Sequence, residues 1–388
     1  MLDMLDALAA ATADGFPCAA ATIVRASGSV PRPVGTSMLI HQTGRITGSL
    51  SGGCVEAAVV AVAEEVLADG QPRVESFGYS DTDAFAVGLS CGGTLEVLIQ
   101  LLQPGTFPVI PKPVAPCALV RRIDAGGTAQ NAGGTAQNNA AQLLLVPDPR
   151  RAASTAGLLA DHGAALAAML DMDPAHAAAR LAPLLASGRT GIVELGGPVL
   201  FLESRLAPAR LLVIGANDFS AALARQGRLL GYHVTVCDAR PAFTVPERFP
   251  AAHQVRVQWP DQYLREEASA GRLDARSVVC VLSHDAKFDI PVLIEALRLD
   301  LAYVGAMGSR RSHEQRMTAL RDAGLSATET AKLHSPIGLD IGAATPEETA
   351  LSVFAEIVAA RSGAAVSGQP LRALSGPIHP FTRQHVSH

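Results

Sequence analysis

The chain has 388 residues, of which 48% are hydrophobic, and this length is sufficient for two domains. A chain of this composition buries a large core, so disorder is excluded as its main state. The net charge of -5 provides no cationic surface of the kind that binds nucleic acid. No run reaches the ~18 apolar residues of a membrane span. The acidic N-terminus is unlike a signal peptide, and six cysteines without a Cys-x-x-Cys pair predict neither disulfides nor zinc. We therefore expect a cytoplasmic protein.

The first predicted domain, residues 1–105, mixes strands with a helix. Its strand-like runs lie at 18–24, 37–41, 45–47 and 94–102, and the second and third of them form a hairpin. A helix is predicted after Gly53, because apolar residues recur at spacings of three and four from 55 to 67. This combination indicates an α+β domain.

The segment 106–204 begins as a proline-rich linker, since the prolines between 104 and 116 exclude a helix or a central strand there. Strands and helices follow, and the segment could complete the first domain. The seven residues 125–131 are repeated without change at 132–138. We interpret this repeat as the solvated tip of a hairpin.

The segment 205–362 alternates short apolar runs with helical stretches, a pattern typical of a doubly wound parallel sheet. The apolar runs are 211–214, 234–237, 278–282 and 301–304. A last helix is predicted over 346–361 with Thr345 as its N-cap. Residues 363–388 are predicted to form a flexible tail. The fold class is therefore α/β, with an N-terminal α+β domain followed by a Rossmann-like doubly wound parallel-sheet domain.

Two cysteines of the first domain lie in glycine-rich loops. Cys54 follows Gly52 and Gly53 and comes just before the predicted helix, where unpaired N–H groups favour an anion and lower the pKa of a thiol. Cys91 precedes Gly92 in a second such loop. Either cysteine could instead be a small buried residue at a tight turn. The cysteines in strand-like runs are predicted to be core residues: Cys18, Cys237 and Cys280.

The second domain begins like a dinucleotide-binding fold, but its fingerprint is incomplete. Gly215 follows the first strand, and Asp238 ends the second, where such folds place a carboxylate on a ribose. Asn217 and Ser220 stand at the positions of the second and third glycines, and Asp218 adds a negative charge nearby. The sequence thus predicts the fold, whereas NAD(P) in its usual pose is not favoured.

Further candidate contacts follow two later strands, at the edge where ligands of open α/β sheets bind. His284 follows the run 278–282, and a glycine-rich turn that enters a helix follows 301–304. The candidate phosphate contacts of this turn are Gly308, Ser309 as the helix cap, Arg310, Arg311, His313 and Arg316. The ordinary alternatives are a structural histidine and arginines on a solvated face.

In combination these motifs resemble the XdhC/CoxI family of xanthine dehydrogenase accessory factors. The segments that carry the resemblance are GSLSGGCVE at 48–56, LSCGG at 89–93, SHDAKFD at 283–289, YVGAMGSRR at 303–311 and SPIGLDIG at 335–342. They follow the family's order, and the resemblance covers residues 1–105 and 205–362.

The resemblance implies a cytoplasmic chaperone of the molybdenum cofactor, in its molybdopterin or cytosine dinucleotide form. Such a protein protects the cofactor while its sulfur is installed and delivers it to a molybdenum hydroxylase, such as xanthine or carbon monoxide dehydrogenase. It further implies that Cys54 and Cys91 contact the cofactor and its molybdenum. A homodimer and a cysteine desulfurase partner are also suggested. On this interpretation the chain is a carrier rather than an enzyme.

Two alternatives stay open at this point. The first is an NAD(P)-dependent oxidoreductase built on residues 210–345, against which the incomplete fingerprint stands. The second is a thiol-dependent sulfur or metal transferase in which Cys54 carries the transferred atom.

Overall fold

The chain divides into two compact units in the computed structural model: Met1–Ala207 with Gln369–His388, and Pro208–Gly368. The structure describes residues 1–4, 7–8, 10–11, 15–28, 30, 32–53, 55–78, 93–103, 116–123, 143–149, 154–170, 172–362 and 368–374. The predicted linker at 104–115, the repeat at 125–138 and most of the predicted tail lie outside these residues.

The first unit contains a five-stranded antiparallel sheet that packs against a helix. The strands are β1 (Cys18–Ser27), β2 (Ser37–His41), β3 (Ile46–Gly48), β4 (Arg73–Gly78) and β5 (Thr94–Leu102), in the order β3-β2-β1-β5-β4. Helix α1 (Glu56–Asp69) buries Val59, Ala63 and Val66 in the core of this sheet. The predicted hairpin and the helix after Gly53 are therefore confirmed.

A second antiparallel sheet of the same unit has four strands and its own core. The strands are β6 (Cys117–Arg122), β7 (Leu143–Pro147), β8 (Gly191–Glu194) and β9 (Val199–Arg205), in the order β7-β6-β9-β8. Helices α2 (Thr155–Met169) and α3 (Pro174–Ala186) bury Leu158, Leu166 and Leu181 against it.

A buried ion pair of the second sheet is hydrogen-bonded to the first sheet. Arg121 of β6 and Glu203 of β9 are 1% and 3% exposed, and their nearest charged atoms are 2.6 Å apart. The guanidinium also donates to Thr22 of β1 at 3.4 Å and to Gln100 of β5 at 3.3 Å. Burial opposes ionisation of Glu203, but Arg121 and the α-amino group of Met1 hold the pKa of this carboxyl below its usual value. The negative charge of Glu203 is therefore balanced by two positive groups at a site from which water is excluded.

The second unit is a doubly wound parallel sheet. Its strands are β10 (Arg210–Ile214), β11 (His233–Asp238), β12 (Gln254–Val257), β13 (Val278–Val281), β14 (Tyr303–Ala306) and β15 (Leu333–His334), in the order β12-β11-β10-β13-β14-β15. Its helices are α4 (Asp218–Leu229), α5 (Pro260–Ser269), α6 (Ala286–Arg298), α7 (Arg310–Asp322), α8 (Ala327–Thr330) and α9 (Pro346–Arg361). The strand order reverses between β10 and β13, and ligands of such sheets bind at the carboxyl ends there.

Alternate residues of β10 point into two cores, one on each face of this sheet. Leu211 packs in the cluster that contains Phe354 of α9, whereas Leu212 packs in the cluster that contains Leu264 and Leu293 of α5 and α6. The predicted α/β fold class is confirmed. Helix α9 begins at Pro346 after Thr345, which forms a capping box with Glu348, as predicted for this N-cap.

The three cysteines predicted to be core residues, Cys18, Cys237 and Cys280, are buried free thiols. Among the described helices, none is both long and apolar enough to cross a lipid bilayer.

Candidate functional site

The glycine-rich loop before α1 encloses the carboxylate of Glu56. Its donors, at 2.6–3.2 Å, are the N–H groups of Leu50, Ser51, Gly52, Gly53 and Val55 and the hydroxyls of Ser49 and Ser51. Burial opposes ionisation, but these hydrogen bonds hold the pKa of Glu56 well below its usual range. Glu56 thus pairs the N–H groups of the loop that precedes α1, whereas the predicted effect of the helix N-terminus on Cys54 stays a prediction.

The outer side of this loop is open. Gly52 and Gly53 are exposed, with φ of 86° and 126°. Apart from their chain neighbours, no atom of the described residues lies within 4 Å of where a Cβ would stand on either glycine. Cys54 is the next residue, and α1 begins two positions later at Glu56. Cys54, Cys91 and Gly92 lie outside the described residues, so their contacts stay predictions.

In the second unit, the turn after β10 approaches the turn after β13 closely. Gly215 has φ of 105°, and a Cβ there would lie 2.7 Å from the backbone nitrogen of Ser283, so this position requires glycine. Asn217 donates to the carbonyl of Leu282 at 2.8 Å and accepts from the N–H of Ser220 at 2.9 Å. Asn217 therefore fixes both turns, and it takes one of the helix N-terminal donors that a pyrophosphate would use.

Asp238 ends β11 as predicted, but its carboxylate is already occupied. It is 1% exposed and accepts the N–H of Ala216 at 2.8 Å. Arg240 donates to it from the backbone at 2.9 Å and from the side chain at 2.9 and 2.6 Å. Burial opposes ionisation, but the bonds from Arg240 outweigh it and hold the pKa of Asp238 below its usual value. A ribose hydroxyl would therefore have to displace Arg240 to bind Asp238.

A buried polar network joins the turns that follow β13, β14 and β15. Arg316 donates to Asp289 at 3.2 Å, to the carbonyl of Met307 at 3.0 Å and to Ser335 at 3.0 Å. Ser283 donates to the other carboxylate oxygen of Asp289. Arg316 is 7% exposed and its guanidinium is engaged by these turns, whereas the sequence predicts a free donor for phosphate. Burial raises the pKa of Asp289, and Ser283 and Arg316 oppose this rise.

The remaining predicted contacts lie on the solvent side of the same edge. Ser309 caps α7 by accepting the N–H of Ser312 at 3.1 Å, and Gly308 precedes it with φ of 153°. Arg310 and Arg311, in the first turn of α7, are exposed and have no carboxylate partner within the described part of the chain. His284 is exposed in the turn after β13. Because β13 and β14 are neighbours, the structure brings these groups to one edge, where they can bind an anion.

One group of residues at this edge is absent from the sequence-based predictions. The guanidinium of Arg240 lies 5.0 Å from the ring centre of Phe243 and 6.0 Å from that of Phe288. Trp259 meets Phe288 edge to face at 5.1 Å. We call these four residues the aromatic cluster. Arg240 and Phe243 lie in one turn, but Trp259 and Phe288 follow other strands, and only their positions after consecutive strands could have indicated the cluster.

The described residues contain no group of three or more His, Cys, Asp or Glu side chains that could hold a metal ion. The exposed groups at this edge of the second unit are backbone turns, hydroxyls and arginines.

The fold and this edge define a class of protein with a Rossmann-type unit preceded by an antiparallel α+β unit. Residues 211–357 match the XdhC Rossmann domain, and residues 11–78 match the XdhC and CoxI family. The chain belongs to the XdhC and CoxI family.

Two relatives are similar to the chain over most of their length. The chain is 26% identical over 340 residues to the molybdenum cofactor insertion chaperone PaoD of Escherichia coli (strain K12), which is 88% of this chain and 82% of that protein. It is 25% identical to a protein of Bacillus subtilis (strain 168) that is described as a probable xanthine dehydrogenase subunit, over 94% of this chain and 98% of that protein. A crystal structure of a xanthine dehydrogenase from Bacillus halodurans has the same fold, with a TM-score of 0.55 and 22% identity, over 97% of this chain and 100% of that chain.

Proposed function

We propose that this protein is a molybdenum cofactor insertion chaperone whose client is a molybdenum hydroxylase of the xanthine dehydrogenase type. The observation that carries the proposal is the similarity to such a chaperone along 88% of the chain. The cofactor is a polyanion with a phosphate or nucleotide tail and a soft metal centre, so a carrier needs oxyanion donors and soft ligands. Both kinds of residue are present in this chain.

The phosphate or nucleotide tail is assigned to the second unit. Arg310 and Arg311 are exposed and unpaired within the described residues, and they stand at the positive end of α7 behind the Ser309 cap. His284 lies at the same edge, and Gly308, Gly215 and Asp238 belong to the adjoining turns. Arginine donors without carboxylate partners are available to phosphate oxygens without breaking an existing ion pair.

The metal end is assigned to Cys54 and Cys91. Glu56 fixes the loop on both sides of Cys54 from within, and Gly52 and Gly53 leave its outer side open. A thiolate is a soft ligand suited to a sulfur-bearing molybdenum centre. The nucleotide form of the cofactor, the desulfurase partner and the homodimer stay predictions from the family resemblance.

The proposal is tested by loading the full chain with isolated cofactor, removing free cofactor by gel filtration and measuring bound molybdenum and pterin. The wild type should retain both and should activate a cofactor-free client enzyme. Cys54→Ser should lower the retained molybdenum by about tenfold or more, as loss of a metal ligand or its support does.

Cys18→Ala is the control, because Cys18 is a buried free thiol in an apolar cluster of the same unit and alanine keeps that site apolar. Circular dichroism verifies that each variant is folded. Equal retention by the wild type, Cys54→Ser and Cys91→Ser would remove both cysteines from the site. A wild type that neither retains cofactor nor activates the client would overturn the proposed function.

A further inference from the structure

The aromatic cluster lies where the second unit would hold a planar ligand group. Phe243 follows β11, Trp259 follows β12 and Phe288 lies in the first turn of α6 after β13. All three strands are parallel, so their carboxyl ends share one edge of the sheet. This edge is the one at which ligands of doubly wound sheets bind.

Two rings of this cluster are exposed although they are large and apolar. Phe243 is 47% exposed and Trp259 is 46% exposed, whereas Phe288 is 4% exposed beneath its neighbours. A single exposed aromatic residue is ordinary. Here the two exposed rings are linked through a chain of contacts, in which Phe243 meets the Arg240 guanidinium, the guanidinium meets the buried Phe288, and Phe288 meets Trp259. Such an arrangement offers planar groups for stacking.

Arg240 is held in place for such a role. Asp238 binds its Nε and one terminal nitrogen, so the guanidinium plane is fixed while 42% of the side chain remains exposed. Lys287 lies 4.8 Å from the ring centre of Phe288, and its charge is opposed by Asp285 at 3.1 Å. The cluster therefore presents ring faces and a fixed guanidinium plane, and a planar heterocycle can stack on both.

We propose that Arg240, Phe243 and Trp259 form a stacking platform for the planar nitrogen heterocycle of a phosphorylated ligand. In an ordinary Rossmann fold, a free carboxylate at the end of the second strand binds a ribose. Here Arg240 covers that carboxylate, Asp238, and the platform provides the ligand contacts at this position instead. The chemical class is a nucleobase or a pterin next to a phosphate. The platform itself does not depend on the proposed function. Only the identity of its natural ligand rests on that function, since the cofactor contains a pterin and, in its dinucleotide form, a cytosine.

The experiment uses Trp259, the single tryptophan of the chain, as its reporter. The full chain is titrated with cytidine 5′-monophosphate, adenosine 5′-monophosphate and 6-carboxypterin, and ribose 5-phosphate serves as the ligand without a base. Tryptophan fluorescence, corrected for ligand absorbance, is recorded together with calorimetry. At least one heterocycle should bind saturably and change the fluorescence, whereas ribose 5-phosphate should leave it unchanged.

Phe243→Ala should weaken this binding by about tenfold, because one stacking surface is lost. The matched control is Phe16→Ala, since Phe16 is a phenylalanine of the first unit that is also 47% exposed. The platform is refuted if no heterocycle binds at millimolar concentration, or if Phe243→Ala binds as tightly as Phe16→Ala.

The two proposals fail separately. Nucleotide binding that depends on Phe243, in a chain that retains no molybdenum cofactor, would support the platform and overturn the chaperone function. Cofactor retention that depends on Cys54 and is unaffected by Phe243→Ala, with no binding of free heterocycles, would overturn the platform alone.

Discussion

A carboxylate enclosed by a glycine-rich loop changes what that loop can bind. Backbone N–H groups before a helix attract an anion, and in this chain Glu56 is that anion. The N–H groups of Ser51, Gly52 and Gly53 are therefore already used within the chain and are not available to a ligand. What the loop offers a ligand is its accessibility, at Gly52 and Gly53, and a conformation held by internal hydrogen bonds.

Replacing Glu56 with glutamine should destabilise the first unit in a pH-dependent way. The pKa of Glu56 is lowered by folding, so its contribution is present above the ordinary carboxyl pKa and is lost as pH falls through the folded value. At pH 7 we expect Glu56→Gln to lower the free energy of unfolding by about 1–3 kcal/mol, the cost of leaving polar groups unsatisfied. Below about pH 4 the difference should narrow. Urea unfolding followed by circular dichroism at several pH values measures both.

The control for this prediction is Glu64→Gln. Glu64 is exposed on the same helix and makes no hydrogen bond or ion pair within the described residues, so its replacement should leave the unfolding free energy unchanged. A cost for Glu56→Gln that does not vary with pH would contradict the assigned role of the carboxylate.

At the scale of the elements, the sequence predicts those whose signals are local and fails for those that depend on distant partners. Helix α9 carries its own start signal in Thr345, Pro346 and the capping box, so its bounds are predicted correctly. Strands β4 and β12 are missed, because they lie at sheet edges and most of their residues are not buried. Strand β14 begins at Tyr303, two residues later than predicted, and it contains Gly305, which weakens a strand pattern.

The candidate site follows the same division. The Ser309 cap and the position of Asp238 are evident from local sequence, and both are confirmed. The hydrogen bonds of Arg316 are not evident from local sequence, since its partners Asp289 and Ser335 lie in other segments of the chain. The stacking of Arg240 on Phe288 likewise joins two turns that follow different strands. Contacts between turns are set by the strand order, which a single sequence does not reveal.

The network around Arg316 should make the stability of the second unit sensitive to pH when it is broken. In Arg316→Gln the buried carboxyl of Asp289 loses its cation, and we expect a cost of about 3–5 kcal/mol at pH 7. Folding raises the pKa of Asp289 above its ordinary value. Ionisation of this carboxyl therefore lowers the free energy of unfolding as pH rises through the pKa of Asp289 in the folded protein. Because the substitution raises this pKa further, the cost should shrink as pH falls from 7 towards 5.

Unfolding of the second unit is followed by the fluorescence of Trp259, and the control is Arg311→Gln on the same helix. Arg311 is exposed without a carboxylate partner in the described part of the chain, so its loss should cost little at any pH. A cost for Arg316→Gln that grows towards low pH would show that Asp289 is not the group left unpaired.

At the scale of the whole molecule, the second unit supplies from its own residues the side chains that cover both faces of its sheet. Both core clusters on the two faces of the sheet draw their members from residues 209–357. The parallel strands pair only with one another among the described residues. The ligand contacts proposed at the carboxyl ends of β10 to β14 therefore belong to a segment that has its own hydrophobic core.

This arrangement predicts that the fragment 208–368 folds alone. Its circular dichroism should show an α/β spectrum, and its unfolding, reported by Trp259, should be cooperative with a midpoint close to that of the same unit in the full chain. A second fragment, 208–345, lacks α9 and hence Val353, Phe354 and Ile357 of one core. Since each buried side chain of this size contributes about 2–5 kcal/mol and a domain is stable by about 5–15 kcal/mol, this fragment should not fold. Cooperative unfolding of 208–345 would show that the core of this unit does not require α9. Absence of cooperative unfolding in 208–368 would show that the core depends on residues outside this unit.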